Sequence, residues 1–472
     1  MNRINADLLV IGAGSGGLSV ASGAAQMGAR VVLLERGEMG GDCLNYGCVP
    51  SKALIASAAR ARQVATAAEF GVNVSGVEID YARVKDRVAE VIATIAPHDS
   101  QARFESLGVT VIREEGRFVS DREVLAGDHH ITARRIVIAT GSRPLVPHIP
   151  GLEDTPYLTN ETLFALRDRP EHLLIIGGGP IGLEMAQAHV RLGSRVTVLE
   201  TAHALGKEDR DAAALVLDSL RAEGVDIHEY TSATRVGGTT GAIWVETNTD
   251  HRFECSHLLI AAGRKPNTEA LDLAKAGIDF DKTGIAVDGG LRTSNRRVYA
   301  IGDVTGGMQF THVAGYHAGI IIRSALFGLP AKTRSDHIPR ATYTDPELAQ
   351  IGLTEEDAKH QYADRLEVVK FAYSGNDRAT ATGKTDGWIK IMVVKGRPVG
   401  VTIVGADAGE IINLWALVLA NGYKISHLAG MVSPYPTVGE ISKRVAGNYF
   451  APRLFDNKMV KYVVRAVQTL LP

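Results

Sequence analysis

Short aliphatic runs punctuate the chain, and four of them form two matched pairs. Asp7 to Ile11 runs into an apolar LLVI block that stops at Gly12, and Val31 to Leu34 stops at Glu35. Leu173 to Ile176 stops at Gly177, and Val196 to Leu199 stops at Glu200. Continuous apolar blocks of this length, bounded by glycine or a charge, read as strands buried on both faces of a parallel sheet. Between the members of each pair lies a glycine cluster that opens a helix of small residues, which completes a βαβ unit. Two further blocks, IVIATGSRP (Ile136 to Pro144) and LLIAAGRKPN (Leu258 to Asn267), read as strands entering small-residue turns. The run from Ile411 to Ala420, interrupted only by Asn413, is about half the length of a bilayer crossing and predicts a buried helix. Arg453 to Leu471 mixes Leu454, Met459, Val460, Val463, Val464 and Val467 with Lys458, Lys461 and Arg465, the pattern of a basic amphipathic helix.

The glycine clusters add chemistry to this pattern. Gly12, Gly14 and Gly17 in the first unit, and Gly177, Gly179 and Gly182 in the second, each spell G-x-G-x-x-G between a strand and a helix. There the glycines allow a tight turn and close approach of a pyrophosphate, while the helix N-terminus offers donors. Twenty-three positions separate Gly12 from Glu35 and Gly177 from Glu200, and each acid is placed to hold ribose hydroxyls. Two dinucleotides on one chain are expected, in an α/β fold with two Rossmann-like halves. Tyr299 to Asp303 puts Gly302 and Asp303 after a strand, where the aspartate could hold a flavin ribityl or pyrophosphate group.

Composition narrows the class. The 472 residues are 45% hydrophobic and 22% charged, with a net charge of −2, which suits a soluble globular protein of several domains and gives no basic excess for nucleic acid. The N-terminus passes into a strand without a signal-like region, so a cytoplasmic location is expected. Only three cysteines are present, and two lie in GDCLNYGC, Gly41 to Cys48. Three cysteines cannot make a disulfide framework, and a close pair in a reducing compartment points to redox chemistry or metal binding.

These segments, above all GGDCLNYGCVPSK from Gly40 to Lys52, resemble the class I pyridine nucleotide-disulfide oxidoreductases. That family of flavoprotein disulfide reductases includes dihydrolipoamide dehydrogenase, glutathione reductase and mercuric reductase. The resemblance runs from Asp7 to about Phe450. It implies an FAD-binding domain (1–150), an NAD(P)-binding domain (151–275), a central domain completing the FAD site (276–340) and an α+β dimerisation domain carrying the tail (341–472). It assigns FAD to Gly12, Gly14, Gly17, Glu35, Gly41, Lys52, Thr140, Gly141, Gly302 and Asp303, and the nicotinamide cofactor to Gly177, Gly179, Gly182, Glu200 and Gly263.

The resemblance also implies roles. Cys48 becomes the thiolate beside the flavin, aided by a helix N-terminus, and Cys43 the thiol that meets the acceptor. Lys52 and Glu184 become a pair at the flavin. A zinc reading lacks the usual C-x2-C spacing and two further ligands, so no resident metal is expected. Cys255 reads as a small core residue. No arginine follows Glu200 before Arg210, which favours NAD(H) over NADP(H).

One position departs from the dithiol-oxidising members. Where they carry a histidine base before Pro-Thr, this chain has Tyr435, followed by Pro436, Thr437 and, five positions on, Glu440. A histidine titrates near ~6.5 and a tyrosine near ~10, so tyrosine can donate a proton but is a poor base at neutral pH. Mercuric reductase resembles the chain more closely here, and also at Tyr343 to Pro346 and Asn376 to Ala379. The C-terminal cysteine pair that delivers metal in mercuric reductases is not in Gln468 to Pro472. The expected function is FAD-dependent transfer of electrons from NADH to Cys43 and Cys48 and on to a metal ion or disulfide. A dihydrolipoyl dehydrogenase-like enzyme and a slow-turnover flavoprotein sensor are the alternatives. A homodimer is expected, with Tyr435 acting across the subunit boundary. The basic tail either packs on the partner subunit or makes peripheral membrane contact. Asp42, next to Cys43, either tunes the thiol or caps a helix.

Overall fold

In the computed structural model, which describes residues 2–471, the aliphatic runs are the strands of two parallel sheets. In the first sheet Thr110–Ile112, Val31–Leu34, Asn2–Ile11 and His129–Ile138 lie side by side. Leu8 to Ile11 pair in parallel with Val31 to Leu34 on one side and Arg135 to Ile138 on the other, which explains why this strand is apolar on both faces. The long strand His129–Ile138 serves two partners in succession. Its first residues pair with the antiparallel hairpin strand Glu123–Ala126, and Ile136 to Ile138 pair with Val298–Ala300. A chain segment distant in sequence thereby delivers Gly302 and Asp303 to the same sheet edge.

The second parallel sheet has the order Val225–His228, Arg195–Leu199, His172–Ile176, His257–Ile260. An antiparallel ribbon of Ala233–Thr239, Ala242–Thr247 and Arg252–Cys255 packs beside it around Ile149, Leu174, Val236 and Val245. Cys255 lies in this core, and burial pushes its thiol up to about 12, so it is an apolar filler. The halves built on the two parallel sheets are tied by a small ladder in which Ser142–Pro144 pairs with Arg264–Pro266. All of this belongs to one compact unit, residues 1–202 and 225–334.

The second unit comprises residues 203–224 and 335–472. Its five-stranded antiparallel sheet has the order Pro339–Thr342, Glu347–Gly352, Arg397–Gly405, Trp388–Val394, Leu366–Ala372. Helices Ala408–Ala420 and Ile441–Phe455 contribute Trp415, Ile412 and Val445 to its core. The run Ile411 to Ala420 is helical as expected, but only one face is buried; Leu417 faces solvent. Lys390 inserts its ammonium among Asp209, Asp211 and Glu355, which fixes the start of helix Arg210–Ala222 within this unit.

The tail differs from the single helix expected over Arg453 to Leu471. Arg453 to Phe455 end the preceding helix, and a new helix runs over Lys458–Leu470. The break is made by Asn457, whose side chain accepts from the backbone N–H groups of Met459 and Val460. No described helix is long and apolar enough to cross a membrane.

Candidate active site

The two glycine fingerprints share one backbone design. Gly12 adopts φ +106°, and a Cβ there would lie 2.4 Å from the Ala139 carbonyl oxygen; Gly177 adopts φ +120°, with the Ala261 carbonyl at 2.3 Å. A side chain at Gly17 would strike the Gly12 carbonyl, as one at Gly182 would strike that of Gly177. These positions accept only glycine because helix and strand meet backbone to backbone. Gly14 and Gly179 cap helices Ser15–Gln26 and Pro180–Arg191 without a side-chain cap, leaving the N-terminal donors for a ligand.

The acids follow the same symmetry. Glu35 accepts from the backbone N–H of Ala13 at 2.6 Å and of Gly37 at 2.7 Å. Glu200 accepts from Gly178 at 2.7 Å and Ala202 at 2.9 Å. Each carboxylate is fastened to the turn that would carry the pyrophosphate, with lone pairs remaining for ribose hydroxyls. Both cradles thus fit a dinucleotide.

The turns that close these cradles interlock. Thr140 donates from its hydroxyl to the Asn267 carbonyl at 2.8 Å, Asn267 returns a bond to the Thr140 carbonyl at 2.9 Å, and its backbone N–H meets the Gly141 carbonyl. The Gly263 carbonyl accepts from Leu145. The Gly302 N–H donates to His317 Nδ1 at 3.2 Å, and Asp303 accepts from the Ser142 hydroxyl at 2.6 Å. Burial pushes the Asp303 carboxyl up, with Ser142 and Arg264 opposing.

The cysteines sit where the redox segment meets the first fingerprint. Gly40 bridges to Gly14, and the Gly40 N–H donates to the Ala13 carbonyl. Gly41, at φ +61°, has no room for a side chain over Gly14. Cys43 lies in the short helix Gly41–Asn45, the chain turns at Tyr46 and Gly47, and Cys48 begins helix Cys48–Ala65, called here the redox helix. This interruption brings two cysteines five positions apart close enough for each to shift the other's proton affinity. Cys48 Sγ also lies 3.4 Å from Thr311 Oγ1.

The two thiols are unequal. The hydrogen bond from Cys43, then the Thr311 hydroxyl and the Lys52 charge, bring Cys48 down to about 6 against its burial. The same hydrogen bond and burial push Cys43 well above the usual thiol range. At neutral pH the negative charge therefore resides on Cys48, at a helix N-terminus, with Cys43 as donor to it.

Two ion pairs frame this centre. Lys52 Nζ lies 2.8 Å from Glu184 Oε2, linking the redox helix to the helix of the second fingerprint. Asp42 pairs with Arg264 at 3.1 Å and accepts from Asn160 at 2.9 Å. The nearly buried Arg264 also donates to the Ser142 hydroxyl and carbonyl and lies 3.7 Å from Asp303. Asp42 is thus the redox-centre end of a chain of polar contacts that ends at Asp303. Sequence reasoning missed Thr311, Arg264, Ser142 and Asn160; Arg264 alone carried a signal, standing next to Gly263.

In the second unit Tyr435 is exposed, and its hydroxyl donates to Asp377 at 2.8 Å. That hydrogen bond, and then the charges of Asp377 and Glu440, push its pKa up. Glu440 itself pairs with Arg444 at 3.0 Å, so within the chain Asp377 holds the tyrosine hydroxyl.

Residues 6–318 match the pyridine nucleotide-disulphide oxidoreductase family, and residues 338–446 match its dimerisation domain. A dihydrolipoyl dehydrogenase of Bacillus subtilis (strain 168) is 34% identical over 444 residues, covering 92% of this chain and 96% of the relative. A mercuric reductase of Lysinibacillus sphaericus is 34% identical over 457 residues, covering 94% and 83%. Among solved structures, the Cu(II) complex of the HOCl-induced flavoprotein disulfide reductase RclA from Escherichia coli superposes with a TM-score of 0.84 at 30% identity, covering 93% of this chain and 99% of that one. The chain belongs to the pyridine nucleotide-disulphide oxidoreductases, enzymes that use FAD and NAD(P)H to reduce disulfides or metal ions. Its dimerisation domain supports a homodimer.

Proposed function

We propose that the enzyme reduces a thiophilic metal ion held as substrate at Cys43 and Cys48, with NADH as electron source. The carrying observation is the bond from the Tyr435 hydroxyl to Asp377, because a tyrosine whose pKa is raised stays neutral and cannot take a thiol proton. Oxidising an incoming dithiol requires that proton to leave. A soft cation needs no such base, since binding to sulfur itself displaces the proton.

Gly12, Gly14, Gly17, Glu35, Gly302 and Asp303 would hold FAD, and Gly177, Gly179, Gly182 and Glu200 would hold the nicotinamide cofactor. Bound FAD supplies the two-electron relay between the nicotinamide and the cysteines. Lys52, fixed by Glu184, and the Thr311 hydroxyl keep Cys48 anionic, so the disulfide opens with charge on Cys48 and a proton on Cys43. Cys43 then ligates the cation, releasing that proton. In the homodimer the partner subunit's Tyr435, whose proton is held by Asp377 within its own chain, would present a neutral hydroxyl oxygen at the acceptor. The balance is NADH plus one divalent ion giving NAD⁺, a proton and the zero-valent metal, or NADH plus two Cu(II) giving two Cu(I), NAD⁺ and a proton. The raised pKa of Cys43 makes it a weak attacker of disulfides without a base.

The test is anaerobic NADH oxidation by the FAD-loaded protein against Hg(II), Cu(II), lipoamide, oxidised glutathione and quinones. Metal-dependent turnover should exceed lipoamide turnover at least about tenfold in kcat/KM and vanish in Cys43→Ser and Cys48→Ser. A best rate with lipoamide or glutathione overturns the proposal, and uniformly slow turnover supports the sensor instead.

A further inference from the structure

We propose that the helix Lys458–Leu470 is a docking element for an anionic lipid surface, on which it lies flat. The helix has its own N-cap at Asn457, and none of its residues is buried. At about 100° per residue, Met459, Val463, Val467 and Leu470 fall on one stripe, and Lys458, Lys461 and Arg465 fall on the opposite one. Within the single chain the apolar stripe is exposed along its length: Met459 is 69% and Leu470 79% exposed, and Leu454 and Phe455 at the end of the preceding helix are exposed as well. Tyr462, 71% exposed, lies at the border of the basic face, where an amphipathic ring sits at headgroup level.

Charge selects the occupant. From Asn457 to Pro472 there are three basic residues and no acidic one, although the whole chain carries a net charge of −2. A helix with an apolar face and an unopposed cationic face suits the acyl–headgroup boundary of a negatively charged leaflet. At 13 residues it is too short to cross the bilayer, which leaves the interface plane. The match to the dimerisation domain stops at residue 446, twelve positions before this helix, so the apolar stripe lies outside the matched segment.

The experiment is flotation of the full-length FAD-loaded protein with vesicles of phosphatidylcholine alone or with added phosphatidylglycerol, beside light scattering without lipid. Expected are flotation with the anionic vesicles only, release at high salt, and loss in Val463→Asp/Val467→Asp and in a chain ending at Asp456. Replacing Lys458, Lys461 and Arg465 by Gln should lower partitioning roughly a hundredfold, at about fivefold per charge. Retained FAD and NADH oxidation in every variant would show that folding is intact. Failure of the intact protein to float, or equal flotation of the shortened chain, overturns the proposal. Conversion of the Val463→Asp/Val467→Asp protein from dimer to monomer also overturns it, by identifying a second copy of this chain as the occupant.

Discussion

Lys52 on the redox helix reaches Glu184 on the helix of the second fingerprint at 2.8 Å, with the carboxylate 6% and the ammonium 38% exposed. The pair spans 132 positions in sequence and fastens the cysteine-bearing helix to the half that carries the second fingerprint. Because the carboxylate is the buried partner, the two substitutions should differ. Lys52→Met removes the ammonium from beside a desolvated charge and should cost about 2 kcal/mol once the exposure of the lysine is allowed for. Glu184→Gln leaves the ammonium its solvent and should cost less. Thermal melts of both variants check the order, and equal melting points would refute it.

Cys48, held near 6, should react with iodoacetamide in the reduced holoprotein along a curve whose midpoint is near about 6, with Cys43 silent in the same range. The sign is fixed: the reactive thiolate is present above that midpoint and lost as pH falls through it. Thr311→Val deletes a hydrogen bond to a charged sulfur, worth about 1.5–3 kcal/mol, and should raise the midpoint by about 1–2 pH units. An unmoved curve would show that the 3.4 Å contact carries no weight.

Arg264 neutralises Asp42, whose charge opposes the thiolate on Cys48. Arg264→Met exposes that opposition and should raise the same alkylation midpoint, whereas Arg264→Met in an Asp42→Asn background should not. If the two backgrounds behave alike, Arg264 acts on folding and not through Asp42.

How much of this was visible in the sequence follows from distance along the chain. The two fingerprints, their acids and the cysteine pair are local patterns, and the parallel strands around them are set by continuous apolar runs. Thr311 lies 263 positions from Cys48, and Arg264 lies in another half from Asp42; their meeting depends on how the sheets pack, which no local period encodes. The tail shows the reverse limit. Its apolar and basic pattern looks continuous from Arg453, yet the Asn457 side chain closes onto Met459 and Val460 and starts a separate helix.

The missing histidine predicts a gain of function. Tyr435→His places a group of ordinary pKa near ~6.5 where the native side chain stays neutral, so the variant can accept a thiol proton above that pH. Dihydrolipoamide oxidation with NAD⁺ should rise at least about tenfold at pH 8, since a positioned base contributes about 10²–10⁴. Tyr435→Phe, which can neither accept nor donate, should leave it at the native level. A histidine variant as slow as the phenylalanine one would show that the proton is not what limits the native enzyme.

In the proposed reading Glu200 would set nicotinamide selectivity. Its Oε2 is occupied by the Gly178 N–H and its Oε1 by Ala202, so the carboxylate cannot swing away from the ribose position without breaking both bonds. A 2′-hydroxyl can donate to the remaining lone pairs, whereas a 2′-phosphate meets a fixed negative charge. The native enzyme should therefore favour NADH over NADPH in kcat/KM. Glu200→Gln removes the charge but turns an NH2 donor toward the Gly178 or Ala202 N–H, so it should lower NADH use and raise the NADPH-to-NADH ratio of kcat/KM by about tenfold, as one screened charge–charge term of ~1.4 kcal/mol would require. Glu200→Ala should lower NADH use as well, because it also removes the ribose acceptor and frees the Gly178 turn. A native preference for NADPH, or an NADPH-to-NADH ratio that Glu200→Gln does not raise, would show that the second cradle reads its ligand elsewhere.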